Sequence, residues 1–324
     1  MNTLGEHFTF TSFGESHSAA IGGVLDGVPA GIAINLNMIR EALDSRAGRT
    51  LQIQTANTLG VSARAKAETD EVEWLSGVMD GVTLGTPVAF IIRNTNHRPE
   101  DYEVFKHSFR PAHADSTYMA KYGIRDWRGG GRASARETAA RVAAGSIARQ
   151  MLMQKGITIA ARLTQVGSAV HVEDFAAEID KFRREGDSIG GIVSCEVNGL
   201  PAGVGEPLFD KLQAHLAYAM LSINACKGFD YGSGFAGIAQ PGEVANAESG
   251  GLLGGITDGT TLRFRCVFKP TPSTPKMFAR MQEEQKINEK IVNRSDACVA
   301  VRAVAVVEAM TALVLADFIS GAYA

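Results

Sequence analysis

Apolar and polar residues alternate over Phe8-Thr9-Phe10-Thr11-Ser12-Phe13, the two-residue period of a strand with one buried face. Two further runs, Val88-Ala89-Phe90-Ile91-Ile92 and Leu262-Arg263-Phe264-Arg265-Cys266-Val267-Phe268, predict strands at matching places in the two halves of the chain. Short helices are predicted over Leu36 to Leu43 and Leu208 to Leu221. Longer ones are predicted over Ala135 to Met153, which is Ala-rich, Pro-free and carries one glycine (Gly145), and over Ala297 to Ile319. Both long helices are apolar on nearly every side, and a helix without a polar face belongs in a core. Ala139, Ala140, Ala143 and Ala144 let a neighbour approach closely. The expected architecture is therefore α+β, with layers of antiparallel sheet around buried helices. No Gly-x-Gly-x-x-Gly run leads from a strand into a helix, so a Rossmann fold is not expected.

Turn-like segments recur in order. Asp26-Gly27-Val28-Pro29-Ala30-Gly31 resembles Asn198-Gly199-Leu200-Pro201-Ala202-Gly203, at an offset of 172. Ser76 to Thr86 resembles Gly250 to Thr260 at an offset of 174, and Arg132-Ala133-Ser134-Ala135 more weakly resembles Arg302-Ala303-Val304-Ala305 at 170. The expectation is one domain, residues 1–324, built from two similar halves (about 1–155 and 185–324) related by an approximate two-fold. Two copies are too few for a solenoid. Recurrence of Gly-Val-Pro-like turns, whose geometry favours those residues, is the simpler alternative.

The 324 residues are 45% hydrophobic and 21% charged, a globular balance. A net charge of −3 and 7% aromatic residues argue against a nucleic-acid binder. Cys195, Cys226, Cys266 and Cys298 are widely spaced, without a CxxC pair, and are expected to be reduced thiols rather than zinc ligands or disulfides. The first residues lack the basic and apolar regions of a signal peptide, and the apolar run at Ala297 to Phe318 is interrupted by Arg302, Glu308 and Asp317. A cytoplasmic protein with no membrane partner is the expectation.

Chemistry concentrates in five segments. Arg128-Gly129-Gly130-Gly131-Arg132-Ala133-Ser134-Ala135-Arg136 places glycines, able to bring backbone close to a ligand, before a helix whose N-terminus favours an anion. Arg132 and Arg136, four apart, are predicted to share a helical face and to suit phosphate or carboxylate. An exposed basic loop is the bland alternative. Arg110-Pro111-Ala112-His113-Ala114-Asp115 offers a general acid in His113, with Asp115 or an arginine setting its pKa. Phe13-Gly14-Glu15-Ser16-His17-Ser18 follows the first strand without the spacing of a nucleophile elbow. Lys269-Pro270-Thr271-Pro272-Ser273 follows the counterpart strand and suits a phosphate. Asn293-Arg294-Ser295-Asp296 precedes the last helix, for which Asp296 is most simply an N-cap.

Together these segments resemble the chorismate synthase family, in order and from Thr3 to about Phe318. The matches include Phe13 to His17, Asp26 to Gly31, Phe109 to Asp115, Lys121 to Asp126, Arg128 to Gly145, Gly186 to Gly191, Ser222 to Ala225, Gly250 to Gly255 and Lys269 to Ser273. The Gly-Gly-Gly-Arg-Ala-Ser-Ala-Arg-Glu-Thr run is highly specific for that family. The resemblance implies helices sandwiched between antiparallel sheets, and a cytoplasmic homotetramer. It also implies a lyase of aromatic amino-acid biosynthesis that converts 5-enolpyruvylshikimate 3-phosphate to chorismate and phosphate by 1,4-elimination. Reduced FMN (FMNH2) is the implied cofactor, with NADPH a candidate for reducing it. His17 would protonate the reduced flavin, His113 would assist phosphate departure, and Asp296 would accept a proton through flavin N5. Ser16, Arg46, Arg132 and Arg136 are the implied substrate ligands. Arg46, Arg132, Ala133, Ser134, Asn224, Ala225, Gly254, Lys269, Pro270, Thr271, Pro272, Ser273 and Arg294 are the implied cofactor ligands.

Some positions differ from the family pattern. Ser18 and Ala133 stand where a glycine and a serine are usual. Ser295 and Ala297 replace a histidine and a proline, the basic segment after Arg46 is reduced, and Phe229 to Ser249 is short. The alternative function is a non-catalytic flavin- or phospholigand-binding paralogue. Retention of His17, His113 and Asp296 favours the lyase, because acid–base groups serve chemistry and not binding alone.

Overall fold

The computed structural model describes residues 1–49, 69–285, 291 and 295–322. Its first part contains strands β1 (Thr3–Leu4), β2 (Thr9–Phe13) and β3 (Ala20–Asp26), helix α1 (Leu36–Arg46), and strands β4 (Val72–Ser76), β5 (Val78–Met79), β6 (Val82–Thr83) and β7 (Val88–Arg93). Two helices follow, α2 (Asp115–Tyr122) and α3 (Thr138–Gln154). Next come β8 (Thr158–Val166), α4 (Val172–Arg184), β9 (Gly191–Asn198), α5 (Leu212–Leu221) and β10 (Cys226–Tyr231). The chain continues through α6 (Gly242–Ala247), β11 (Leu252–Leu253), β12 (Ile256–Thr257), β13 (Leu262–Phe268), α7 (Pro275–Gln285) and α8 (Ala300–Ala322).

The strands form two antiparallel sheets, ordered β1-β2-β3-β7-β4 and β10-β13-β9-β8, and two small hairpins, β5-β6 and β11-β12. Alternation decides which face of each sheet is buried. Val88, Phe90 and Ile92 of β7, and Leu262, Phe264, Cys266 and Phe268 of β13, all point into the core. Helix α3 lies on the first sheet and α8 on the second, and the two pack against each other, with α1 and α5 alongside. This is the predicted layering of antiparallel sheets around buried helices. Of the described helices, α8 is long and apolar enough to cross a membrane, yet it is largely enclosed by this core.

Corresponding hydrogen bonds recur in the two parts of the chain. Thr83 Oγ1 donates to the Pro29 carbonyl (2.6 Å) and accepts from Ile32 N (2.9 Å). Thr257 Oγ1 donates to the Pro201 carbonyl (2.6 Å) and accepts from Val204 N (2.9 Å). Each threonine ties its hairpin to the Pro-Ala-Gly turn that follows β3 or β9. The sheet order β2-β3-β7-β4 is likewise the counterpart of β8-β9-β13-β10. The third sequence match does not fall at equivalent places, because Arg132 precedes α3 in a 3₁₀ turn whereas Arg302 lies inside α8.

The helix ends also differ from expectation. Helix α3 begins at Thr138 rather than Ala135, because Gly131–Ala133 and Ala135–Glu137 form separate 3₁₀ turns broken at extended Ser134. Helix α8 begins at Ala300, α5 at Leu212, and α1 runs on to Arg46. The four cysteines are free thiols, as expected.

Helices α3 and α8 come into close contact at Gly145, where a Cβ would stand 2.5 Å from the Cα, Cβ and O of Ala309. Replacing a mid-helix glycine by alanine ordinarily stabilises a helix by about 1 kcal/mol. Overpacking costs about 1–3 kcal/mol, and here the obstacle is backbone, which cannot rotate aside. Gly145→Ala should therefore lower the urea unfolding midpoint. A raised midpoint would contradict this crossing.

Candidate active site

The segment from Arg128 to Thr138 is the hub. Its glycines serve contacts within the protein. Gly129 has φ +61°, and a Cβ there would stand 2.1 Å from Cε1 of His17. Gly130 has φ +86°, and its Cβ would stand 2.6 Å from Nη2 of Arg110. The close approach expected toward a ligand is thus made toward an imidazole and a guanidinium. His17 is 2% exposed, its Nδ1 lies 2.9 Å from Ser16 Oγ, and Tyr102 meets it edge-on at 5.0 Å between ring centroids. Ser18 closes this turn. Its hydroxyl lies within hydrogen-bond distance of the Glu15 and Ala20 carbonyls (2.8 Å each) and accepts from Glu15 N, so serine is accommodated at that position.

Arg132 and Arg136 do not share a helical face, because each sits in its own 3₁₀ turn. Arg132 donates to the Gly14 carbonyl (3.1 Å) and to Ser12 Oγ (2.6 Å) at the end of β2. Arg136 donates to Asn94 Oδ1 (2.8 Å), the Arg93 carbonyl (3.1 Å) and Asp70 Oδ1. Asp70 also pairs with Arg46 through Oδ2 (3.1 Å). Arg46 is 1% exposed and donates further to Thr138 Oγ1 (3.0 Å) and the Ala135 carbonyl (3.0 Å). Here Arg46 and Arg136 shape the wall of the site from behind. Burial alone raises the Asp70 carboxyl, but the Arg46 and Arg136 guanidiniums outweigh it and hold the group below its ordinary 3.8.

The second cluster centres on Asp115, which accepts from Arg110 N (3.0 Å), Nε (3.0 Å) and Nη2 (2.7 Å), with Arg125 at 3.9 Å. This carboxylate is fully engaged by arginine and is not the partner of His113. His113 Nε2 instead pairs with Ser273 Oγ. Burial, with the neighbouring Arg110 and Lys269 cations, pushes the His113 imidazole down to about 4 against the opposing pull of Asp115. It is neutral at pH 7.

The second half of the chain joins the hub through Asn224, whose Nδ2 donates to the Ala133 carbonyl (2.9 Å). Ala225 has φ +68°, and its carbonyl accepts from Lys269 N (3.0 Å). The Pro270–Ser273 stretch is anchored by Ser188 Oγ donating to the Thr271 carbonyl (2.7 Å). Ser134 Oγ accepts from Arg136 N (3.3 Å). Asp296 is not an N-cap, since α8 starts four residues later. It pairs with Arg302 (2.8 Å), which also donates to the Arg46 carbonyl (2.9 Å). Ser16, His17 and Asn224 thus contact the loop at 128–138 directly, His113 with Ser273 lies beside it through Arg110, and Asp296 joins it through Arg302 and Arg46. Gly254 is at the tip of the β11-β12 hairpin, with nothing among the described residues within 4 Å of a Cβ built there. Arg294 lies outside the described residues.

Two groups escaped the sequence reading as site residues. Arg110 enters the sequence pattern only as part of the His113 motif, and in the fold it packs against Gly130, Tyr102 and Phe105. Asp70 carried no motif at all. A flavin-phosphate ligand fits this donor set. Two arginines flank each buried carboxylate, leaving positive charge for an anion to offset. Asn224 Oδ1 and Thr271 Oγ1 are buried polar atoms without protein partners among the described residues, and ligand groups can satisfy them.

Asp70→Asn leaves two buried guanidiniums short of their shared counter-charge, and should cost about 3–5 kcal/mol in denaturant unfolding. The pH dependence has a definite sign. The folded pKa lies below 3.8, so on acidification the unfolded chain takes the proton first. The stabilisation is complete above that value and lost below it, and Asp70→Asn should flatten this part of the stability–pH curve.

Known proteins resemble this chain over nearly its whole length. The family model described as chorismate synthase matches residues 8–320. Chorismate synthase of Christiangramia forsetii is 43% identical over 359 aligned positions, covering 98% of this chain and 97% of its own. That of Sulfurovum sp. (strain NBC37-1) is 44% identical over 351 positions, covering 98% and 95%. Among solved structures, a chorismate synthase crystal structure matches at TM-score 0.74 and 26% identity, over 97% of this chain and 92% of that one. Similarity over nearly the whole length, in sequence and in fold, places the chain in the chorismate synthase family.

Proposed function

We propose that the protein is the carbon–oxygen lyase that converts 5-enolpyruvylshikimate 3-phosphate to chorismate and phosphate by 1,4-elimination, in the shikimate pathway to aromatic amino acids. The observation that carries this reading is the meeting of neutral His113, Arg110 and Lys269 beside the arginine-rich loop. It is a cationic surface with one titratable acid, suited to a departing phosphate. No feature favours the non-catalytic paralogue over an enzyme.

The enzyme is flavin-dependent by family, and reduced FMN is the proposed form. When bound, it supplies an electron-rich ring that promotes loss of the allylic phosphate without net redox change. Ala133, Ser134, Asn224, Ala225 and Lys269 to Ser273 are the proposed holding residues, with Gly254 and Arg294 assigned by resemblance. Arg132, Arg136 and Arg46 contribute field and shape, and their donors also brace the loop. NADPH is proposed as one source of flavin reduction.

Each acid–base residue then has a task. His113 is neutral in the free protein, and an arriving phosphate dianion favours its protonated form. The substrate thereby charges the acid that assists departure of its own phosphate. His17, fixed by Ser16 and wedged against Gly129, is the proposed proton donor on the flavin side. Asp296, oriented by Arg302, is the proposed acceptor of the proton lost in the elimination.

Homotetramer formation in the cytoplasm is proposed by family. The apolar side chains of Phe209, Phe235 and Ile238, 92%, 76% and 92% exposed, are surfaces that subunit contacts would cover.

The decisive assay is anaerobic, with reduced FMN and 5-enolpyruvylshikimate 3-phosphate, following chorismate absorbance and phosphate release. His113→Ala should lower kcat by about 10²–10⁴ while retaining flavin. Flavin binding without turnover by the wild type would sink the lyase assignment.

A further inference from the structure

We infer that Ser273 is a positioning residue for His113, selecting which ring nitrogen meets the substrate. The inference rests on the lyase reading for its catalytic meaning, but its structural content stands separately.

Histidines that act as acids are commonly oriented by a carboxylate on the second ring nitrogen. Asp115, two residues along, is the obvious candidate here. It is occupied by Arg110 through three hydrogen bonds and by Arg125 through an ion pair. The group that touches the ring comes from the other half of the chain, as Ser273 Oγ against His113 Nε2. Ser273 is 5% exposed, so its hydroxyl cannot rely on bulk water. A buried O–H needs an acceptor, and His113 Nε2 is the side-chain atom paired with this hydroxyl among the described residues, which assigns the donor role to Ser273.

A hydroxyl donating to Nε2 places the proton of the neutral ring on Nδ1. Nδ1 is then the nitrogen left for the ligand. The charged groups around the ring are Arg110, Lys269 and Asp115, and none of the three replaces this bond. The serine itself is held in place from both sides. Ser188 fixes the Thr271 carbonyl, and Thr274 Oγ1 accepts from Met277 N (3.2 Å) at the start of α7. Helix α7 in turn packs through Phe278 and Met281 against Phe105, close to the His113 loop. His113 and Ser273 are thus brought face to face by two loops sharing one small apolar cluster.

The test compares Ser273→Ala and Ser273→Thr in the full-length, FMN-loaded protein. Ser273→Ala should lower kcat about tenfold, the effect of losing one hydrogen bond to a group that becomes charged. Flavin affinity should fall less than kcat, because the backbone of the Lys269 to Ser273 stretch, anchored by Ser188, is left in place. The hydroxyl donates to the neutral ring and turns to accept from the charged one, and the bond to the charged ring is the stronger, so its loss should move the alkaline limb of the kcat–pH profile downward. Ser273→Thr, which keeps the hydroxyl, should restore both rate and profile. In a His113→Ala background, Ser273→Ala should cost nothing more.

A readout independent of turnover is ¹⁵N NMR of the His113 ring, identified by its disappearance in His113→Ala. It should show the Nδ1–H tautomer in the wild type and a mixture in Ser273→Ala. An unchanged tautomer in Ser273→Ala, or losses that add fully in the double variant, would overturn the inference. A flavin affinity that falls as far as kcat would do the same, because it would mark Ser273 as a cofactor ligand only. If the wild type lacks turnover, the lyase assignment fails while the ring spectrum still decides the role of Ser273.

Discussion

The carboxylate of Asp70 lies between the guanidiniums of Arg46 and Arg136, and the arrangement of the site depends on it. Arg46 ends α1, and Arg136 lies in the turn before α3. The same two side chains reach the backbone of Arg93 at the end of β7 and of Ala135. One anion therefore gathers a helix end, a sheet end and the loop that carries the histidine contacts. Burying two cations on one anion leaves a charge of about +1, and Asp115 with Arg110 and Arg125 repeats the pattern. Uncompensated buried charge is costly. An anionic ligand would offset that cost and so would stabilise the loop that binds it.

The glycine run shows how a motif can be legible while its reason is not. Gly129-Gly130-Gly131 predicts room for a ligand, and positive φ at all three agrees with the turn that such room requires. The room is filled by His17 at the first glycine and Arg110 at the second. A side chain at either would push His17 or Arg110 out of place, so these glycines act on the site through packing. Similarly, Ser18 in place of the family's glycine costs little, because its hydroxyl completes a turn among local carbonyls.

Much of the fold was visible in the pattern of residues. Alternation located β2, β7 and β13, and the absence of a polar face marked α3 and α8 as core helices. Their ends were less well placed. The chain from Gly131 to Glu137 breaks at Ser134 because Asn224, Arg46 and Asp70 claim its carbonyls and guanidiniums, and none of those partners is near in sequence. For the same reason Arg132 and Arg136 diverge despite their helical spacing.

The sequence by itself determined the family, the layered α+β class and the set of segments that carry chemistry. The class and the segments follow from local periodicity and from residue types in fixed short spacings, and the family from the resemblance that those segments carry. Only the tertiary structure decided the pairings. It gave Asp115 to Arg110 and left His113 to Ser273, it moved Asp296 from helix cap to partner of Arg302, and it put Asp70 at the centre. Such choices belong to groups far apart along the chain that compete for the same buried charges and hydrogen bonds, and folding alone brings those competitors within reach.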